Sequence, residues 1–343
     1  MLILIQSLPT EPSIYTQLIF NLTFLLRCEY FLIDYLEKIG NFNSSYIDTT
    51  FAVEGYHDLY NFSASELKTQ SSILAKRKLQ GKSNGDNRIY EFVFIPNSGF
   101  LNSNLPLMTN CELKLSFDRA NAEVAMLEHG AIIKNGCSGS PLVIKDCVAI
   151  AEYVTSEALE KYFMNIDYNP IPYYYQDCDI TLKNLPLEET NIRLDNIKGG
   201  STPTCIFAGL IASSSLNGDL AHSCTAFNCN NVTSMSITLN GNAVNGYPID
   251  IKNNSPIFPF YTLMDVTNRY MNASCGEGLK LAHFVHNWIY AHKFEAETSS
   301  QGWIGVNLKL SEPFKEPYTL VIWSINECGI TIDKFHQIEK INM

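Results

Sequence analysis

Alternation of apolar and polar residues with a period of two is the sequence feature that most restricts the fold of this chain. The segments CELKLSF (111–117), IGVNLKL (304–310) and SMSITLNGNAV (234–244) all follow this pattern. A period of two is that of a β-strand with one buried face. In the third segment the alternation reaches Asn240 and Gly241, the pair that a type I′ turn favours because both central residues have positive φ. The sequence therefore predicts a β-hairpin there.

The remaining elements are also mostly strands. Less regular strands are predicted at RIYEFVFI, SPLVI, CDITL, NIRLDNI, PTCIFAGLIA, YTLVIWSI and GITID, and helices at YFLIDYLEKIG, SEALEKYF and FYTLMDVTNRYMN. Many short strands with few helices predict an all-β fold of the sandwich or jelly-roll class. Because 343 residues hold too many strands for one sandwich, we expect two tandem jelly-roll domains (1–155 and 177–343) joined by a linker (156–176).

Composition and charge exclude several classes of function. With 46% hydrophobic and 17% charged residues the chain can bury a sizeable core. A net charge of -11 argues against a broad phosphate-binding face, so we expect no direct binding of nucleic acid. The apolar run from Ile14 to Leu26 is too short to span a bilayer, and the N-terminus lacks a basic n-region and a cleavage site. We therefore expect neither a transmembrane segment nor a secretory signal.

The ten cysteines do not form a disulfide or zinc pattern. No CxxC pair occurs among them, and several fall in apolar runs, where a free cysteine behaves as a small hydrophobic residue. We expect reduced thiols at all ten positions: Cys28, Cys111, Cys137, Cys147, Cys178, Cys205, Cys224, Cys229, Cys275 and Cys328.

The segment NGCSGSPL (135–142) spells the surroundings of a chymotrypsin-like nucleophile at Ser138. Such proteases order their triad His, Asp, Ser and place the serine late in the chain. Here His57 and His129 are the histidines before Ser138, Asp118 is the tempting third member, and some two hundred residues follow. A glycine-permitted loop leading into the strand PLVI is therefore favoured, with the protease kept as an alternative.

Other candidate sites are weak. His283, His286 and His292 cluster without a regularly spaced carboxylate or thiol, which favours loop histidines over a metal site. No glycine-rich nucleotide-binding motif is present, so no cofactor is expected. The run Tyr173, Tyr174 and Tyr175 could line a glycan groove, which keeps a cytoplasmic carbohydrate-binding jelly roll as a second alternative.

Three blocks in a consistent order resemble the major capsid proteins of Polinton (Maverick) elements and the related adintoviruses. The first, residues 92–127, leads through a Leu/Pro-rich turn into a strand with a basic end. The second, residues 196–250, has a proline before an apolar strand, a small-residue loop with NG, the pair Phe227 and Asn228, and a hairpin strand. The third, residues 287–338, closes on a last pair of strands ending in ITIDK.

This resemblance implies a double jelly roll whose homotrimers form pseudo-hexameric capsomers of an icosahedral shell. It implies a virion protein made in the host cytoplasm, with neighbouring capsomers and penton or minor capsid proteins as partners, and with no enzymatic activity. Catalytic, cofactor and metal residues are then expected to be none. The family has a longer N-terminal part than this chain, so the first jelly roll is expected to be incomplete.

Overall fold

The computed structural model describes residues 18–26, 82–84, 87–89, 99–102, 105–107, 111–119, 154–167, 169–216, 227, 231–244, 246–251, 256–267, 281–284, 288–294, 301–335 and 337–341. Strands predominate over helices in these residues, and the two larger sheets are antiparallel throughout. The predicted all-β class is confirmed.

The described residues before 120 form strands β1 (Leu18–Leu26), β2 (Lys82–Asn84), β3 (Asn87–Ile89) and β4 (Cys111–Arg119), and a 3-10 helix (Gly99–Asn102). β4 confirms the strand predicted from CELKLSF, whereas β1 was not predicted. β1 and β4 pair in parallel, with Leu18 opposite Cys111. The predicted helix YFLIDYLEKIG, the predicted strand SPLVI and all but the first two residues of RIYEFVFI lie outside the described residues.

The second half of the chain forms a sandwich of two sheets. Its strands are β5 (Ile171–Asn184), β6 (Asn191–Ser201), β7 (Cys205–Ala212), β8 (Val232–Leu239), β9 (Asn242–Ala243), β10 (Ile249–Asp250), β11 (Ile289–Lys293), β12 (Gln301–Leu310), β13 (Tyr318–Ile332) and β14 (Ile338–Ile341). Sheet I has the order β5-β13-β7-β11, with β14 beside the C-terminal part of β13. Sheet II has the order β6-β12-β8-β10, with β9 beside β8.

The order of the main strands identifies the topology. The eight main strands can be numbered one to eight in chain order: β5, β6, β7, β8, β10, β11, β12 and β13. In these numbers the strand order is 1-8-3-6 in sheet I and 2-7-4-5 in sheet II. The first strand pairs with the eighth, the second with the seventh, and the fourth with the fifth, all antiparallel. This is a ribbon of antiparallel pairs rolled into two sheets, which is the jelly-roll arrangement.

The predicted hairpin is confirmed at its turn. Asn240 has φ 52° and Gly241 has φ 83°, the left-handed conformations that a type I′ turn requires. The side chain of Asn240 also accepts a hydrogen bond from the backbone N–H of Trp303 at 2.9 Å. The turn of β8 and β9 is thereby fixed to the neighbouring strand β12.

The strands predicted at YTLVIWSI and GITID are one strand in the structure. β13 runs through Glu327 and Gly329 without interruption because β5 pairs with it along its whole length, from Thr319 opposite Asn184 to Ile332 opposite Ile171. β5 itself begins at Ile171, inside the segment 156–176 for which a linker was expected. The division of the chain into two domains stays a prediction.

Short helices connect the strands. They are α1 (Glu157–Met164), α2 (Ser213–Leu216), α3 (Ile257–Val266) and α4 (Leu281–Phe284). α1 and α3 confirm the helices predicted at SEALEKYF and at the beginning of FYTLMDVTNRYMN. None of the helices in the described parts of the chain combines the length and the apolar character that crossing a membrane would require.

Sheet I is buried on both faces where β13 pairs with β7. Lys198 of β6 donates a hydrogen bond to the hydroxyl of Ser324, so the Ser324 side of β13 faces sheet II. Strand alternation places Trp323 on the opposite side, which we call the outer face of sheet I. Trp323 is nevertheless only 2% exposed, and its neighbours on this face, Val321 and Phe207, are 1% and 4% exposed. If solvent covered this face, polar residues would alternate with the apolar residues along β13.

Candidate assembly surfaces

The residues of the predicted protease triad are not brought together by the described structure. Ser138, His57 and His129 lie outside the described residues, and Asp118 is placed only as a backbone position in β4, opposite Leu25 of β1. The protease alternative therefore gains no geometric support from this structure.

The histidine cluster is not a set of loop residues. His292 lies in β11, where its ring contacts Tyr247 edge-on at 5.8 Å and Phe294 edge-on at 4.8 Å between centroids. His283 falls in α4, and His286 lies outside the described residues. No group of three His, Cys, Asp or Glu side chains that could hold a metal ion occurs in the residues that the structure describes.

Burial lowers the pKa of His292 below its ordinary value of 6.5, because the surrounding rings desolvate the charged imidazolium. The unfolded chain then takes up a proton before the folded chain does. The stability that neutral His292 contributes is therefore complete above pH 6.5 and is lost as the pH falls below it.

We accordingly expect the His292→Gln variant to lose less stability than the wild type between pH 7 and pH 5. Denaturant unfolding at a series of pH values measures this, with proton uptake on unfolding reduced by up to one proton in the variant. Above pH 7 the two proteins should differ by a constant amount. Parallel curves across the whole range would show that His292 titrates normally in the folded state.

The three consecutive tyrosines do not form one surface. They lie in β5, so alternate side chains point to opposite faces of sheet I. Tyr173 is 1% exposed and Tyr175 is half-buried, whereas Tyr174 is 58% exposed on the other face. Tyr173 and Tyr175 pack against Phe100, with ring centroids 6.0 Å and 5.7 Å away. The proposed glycan-binding groove of three tyrosines is therefore wrong.

Cys205 and Cys328 are free cysteines whose thiols are not activated. Desolvation raises the pKa of Cys205 to about 12. Burial, and then the negative charge of Asp177, raise the pKa of Cys328 as well. A thiol must ionise to act as a nucleophile or as a metal ligand, so these two cysteines are unsuited to either role at neutral pH.

One ion pair bridges the sandwich. The ammonium of Lys198, in sheet II, lies 3.2 Å from Oδ2 of Asp179 in sheet I and donates to Ser324, whose hydroxyl donates in turn to the carbonyl of Asp179 at 3.3 Å. The Lys198 side chain is 15% exposed, whereas that of Asp179 is 58% exposed. This arrangement satisfies a largely buried charge and ties the two sheets together, and it resembles no catalytic group.

Among the described residues, the earlier part of the chain contacts sheet I where the beginning of β5 pairs with the end of β13. The cluster there contains Phe100, Ile171, Tyr173, Ile330 and Ile332, with Leu105, Leu107, Phe163, Ile166 and Tyr175 packed around it. The helix Gly99–Asn102 packs against β5, whose one strand partner in the described residues is β13. An added Cβ on Gly99 would lie only 1.5 Å from the carbonyl oxygen of Gln176, so the two backbones touch. This edge strand is therefore covered, as unpaired strand edges usually are in soluble proteins.

Large exposed apolar side chains occur at several places in the described chain, among them Tyr162 and Met164 on α1 and Tyr174 on β5. Two further groups of them define a helix patch and a turn patch. The helix patch lies on α3, where Ile257, Phe258 and Tyr261 are 66%, 47% and 38% exposed on the side opposite the buried Pro259 and Leu263. The turn patch lies on the turn between β13 and β14 and consists of Lys334, Phe335 and Ile338, with Phe335 66% exposed. Contiguous exposed apolar residues of this kind mark sites of interaction with other proteins.

No protein-family model matches the sequence, and neither does any curated protein. Among solved structures the chain is similar to a chain of the Sputnik virophage, with 10% identity and a TM-score of 0.31; the match covers 50% of this chain and 39% of that one. It is also similar to VP54 of PBCV-1, with 8% identity and a TM-score of 0.36, over 56% of this chain and 55% of that one.

A third similar structure is the major capsid protein of mavirus, with 8% identity and a TM-score of 0.30. The match covers 56% of this chain and 44% of the mavirus chain. The matched part thus spans 39% to 55% of the length of these three neighbours. At these identities and TM-scores the function proposed below rests on other grounds, namely the strand order, the burial of sheet I and the sequence blocks.

Proposed function

We propose that this chain is a structural major capsid protein of the Polinton (Maverick) and adintovirus type. Its homotrimers form pseudo-hexameric capsomers, which tile an icosahedral shell together with penton or minor capsid proteins. In this role the chain acts without catalysis, cofactor or direct contact with nucleic acid, and it resides in the virion after synthesis in the host cytoplasm. The sequence blocks at 92–127, 196–250 and 287–338 support this assignment by their order and spacing.

The observation that carries the proposal is a jelly roll whose sheet I is buried on both faces at its central strands β7 and β13. The strand order 1-8-3-6 and 2-7-4-5 is the one found in viral capsid domains, and also in lectins and cupins. Burial of Trp323, Val321 and Phe207 means that a further layer of chain covers the outer face. Part of that layer is Phe227 of the β7–β8 connection, which lies against Gly209, the residue opposite Val321. In a double jelly roll the neighbouring domain, here residues 1–155, would supply the rest.

Self-assembly of this chain is favoured over the other jelly-roll functions by its surfaces. A lectin or an enzyme needs convergent polar groups in a pocket. The described residues instead present exposed apolar side chains, including those of the helix patch and the turn patch, and the pKa values of the Cys205 and Cys328 thiols are raised. A shell protein requires such contact surfaces because symmetry repeats every contact around the particle.

The mass of the purified full-length chain in solution tests this function. We expect sedimentation velocity at micromolar protein to give a species of three times 38.6 kDa, and electron microscopy to show trimers with a pseudo-hexagonal outline. A clean monomer would contradict the proposal. Labelling by a fluorophosphonate that is lost in Ser138→Ala would support the protease instead, and binding on a glycan array would support a lectin.

A further inference from the structure

The helix patch ends in a negative charge. Asp265 is exposed in the last turn of α3, on the same side of the helix as Ile257 and Tyr261, which precede it by eight and four residues. The C-terminal end of a helix carries a partial negative charge, so a carboxylate there is unfavourable and a cation is favoured. No basic residue lies in the last turn of α3 to supply that cation. The apolar surface of α3 is therefore bordered by a site that attracts a positive charge.

The turn patch offers the complementary group in a fixed geometry. Oδ1 of Asp333 accepts hydrogen bonds from the backbone N–H groups of Phe335 at 2.9 Å and Gln337 at 2.7 Å, and the N–H of Asp333 donates to the carbonyl of Gln337 at 3.1 Å. The ammonium of Lys334 lies 5.3 Å from the centre of the Phe335 ring. The turn thus holds a cation and an exposed aromatic ring side by side, which lowers the entropic cost of docking.

We infer that the turn patch of one copy docks on the helix patch of the next copy, with Phe335 against Ile257, Phe258 and Tyr261, and Lys334 beside Asp265. This inference rests on the proposed assembly of the chain with itself. A ring of three copies requires a heterologous contact, in which two different surfaces of each copy meet. The two patches are different, lie on separate elements and match in both apolar character and charge.

The overall charge of the protein favours contacts between copies in which opposite charges meet, as they do here. Each chain carries a net charge of -11, so copies repel one another over most of their surface. A lysine that meets a carboxylate and a helix C-terminus is an exception to this repulsion. Such a charge pair sets the register of the contact, while the buried aromatic ring supplies most of its affinity.

Charge reversal in the full-length chain tests the contact. We expect Lys334→Glu and Asp265→Lys each to weaken self-association about tenfold, and the double variant Lys334→Glu/Asp265→Lys to recover most of the loss. Phe335→Ser should weaken it by more than either charge change. Sedimentation velocity over a range of concentrations measures the association, and thermal unfolding confirms that each variant is folded. Lys315→Glu is the matched control, since Lys315 is an exposed lysine, 82% exposed, in the turn before β13.

The outcomes separate this inference from the proposed function. One outcome is that the wild type forms trimers and that Lys334→Glu, Asp265→Lys and Phe335→Ser weaken them no more than the control Lys315→Glu does. The docking inference is then wrong, and the capsid proposal stands. If the single variants weaken the trimer but the double variant is weaker still, the two residues do not face each other and the inference is wrong in its pairing. If the wild type is monomeric, both proposals fail.

Discussion

Replacing Trp323 with alanine is expected to lower the free energy of unfolding by about 3 kcal/mol, the lower end of the range for truncating a buried tryptophan. The indole stacks on Phe207 with ring centroids 4.4 Å apart and is 2% exposed. Its Nε1 is buried and has no hydrogen-bond partner in the part of the chain that the structure describes. Removing that unsatisfied donor offsets part of the lost packing, which is why the lower end of the range applies.

Trp303→Ala is the matched control for this prediction, because Trp303 lies in β12 and is only half-buried over the turn at Gly241. We expect that variant to lose about 1 kcal/mol. Denaturant unfolding at one fixed protein concentration measures both, since assembly makes stability depend on concentration. Equal losses in the two variants would mean that the outer face of sheet I is no better covered than the surface of sheet II, and the tandem arrangement would lose its main structural support.

Local pattern was sufficient to predict β8 and β12 of sheet II. The alternation in IGVNLKL and SMSITLNGNAV depends on a single buried face, and both segments are strands in the structure. The turn at Asn240 and Gly241 was predictable because positive φ at two consecutive residues is costly for most side chains. Such features are encoded within a few residues, so no knowledge of the rest of the chain is needed.

The ends of the long strands of sheet I could not be predicted in the same way. Pro170 and Pro172 suggest a break before the tyrosines, yet Pro172 lies within β5. Proline is tolerated there because β5 is an edge strand, so a missing N–H need not interrupt a ladder. The sequence similarly predicted separate strands at YTLVIWSI and GITID, but residues 326–328 between them pair with β5 within β13. In both cases a partner distant in sequence keeps the strand extended.

The candidate surfaces were missed in the sequence for a related reason. The segment IFPFYTLMDV is apolar at eight of its ten positions, which is typical of a largely buried helix, and only the structure shows that one side is left exposed. Lys334 and Phe335 are adjacent residues in a short turn and form no motif. The signal that could have found them is the pair of an exposed aromatic residue with a fixed cation, and it becomes visible only when the role of Asp333 in the turn is known.

The Gly99→Ala variant is expected to lose about 3 kcal/mol of stability, through a backbone clash rather than a loss of contacts. The added Cβ would lie 1.5 Å from the carbonyl oxygen of Gln176 and 3.2 Å from the backbone nitrogen of Asp177. If the new Cβ met a flexible side chain, that side chain could rotate away. The carbonyl of Gln176 instead belongs to the backbone of β5, which is fixed by its pairing with β13. The helix Gly99–Asn102 must therefore move away from the strand, and Phe100 leaves its contacts with Tyr173 and Tyr175.

Gly199→Ala is the control for this variant because the atom that its Cβ would meet is the side-chain Oδ1 of Asn196, at 3.2 Å, which can move. We expect a change within about 0.5 kcal/mol there. Hydrogen exchange of the full-length chain should show faster exchange in residues 99–102 and 171–176 of Gly99→Ala, with sheet II unchanged. Since this contact joins the earlier part of the chain to the jelly roll, Gly99→Ala should also reduce trimer formation. Unchanged exchange and stability would show that the helix Gly99–Asn102 does not rest on the edge of β5 in solution, and that edge would then be open to pairing with another chain.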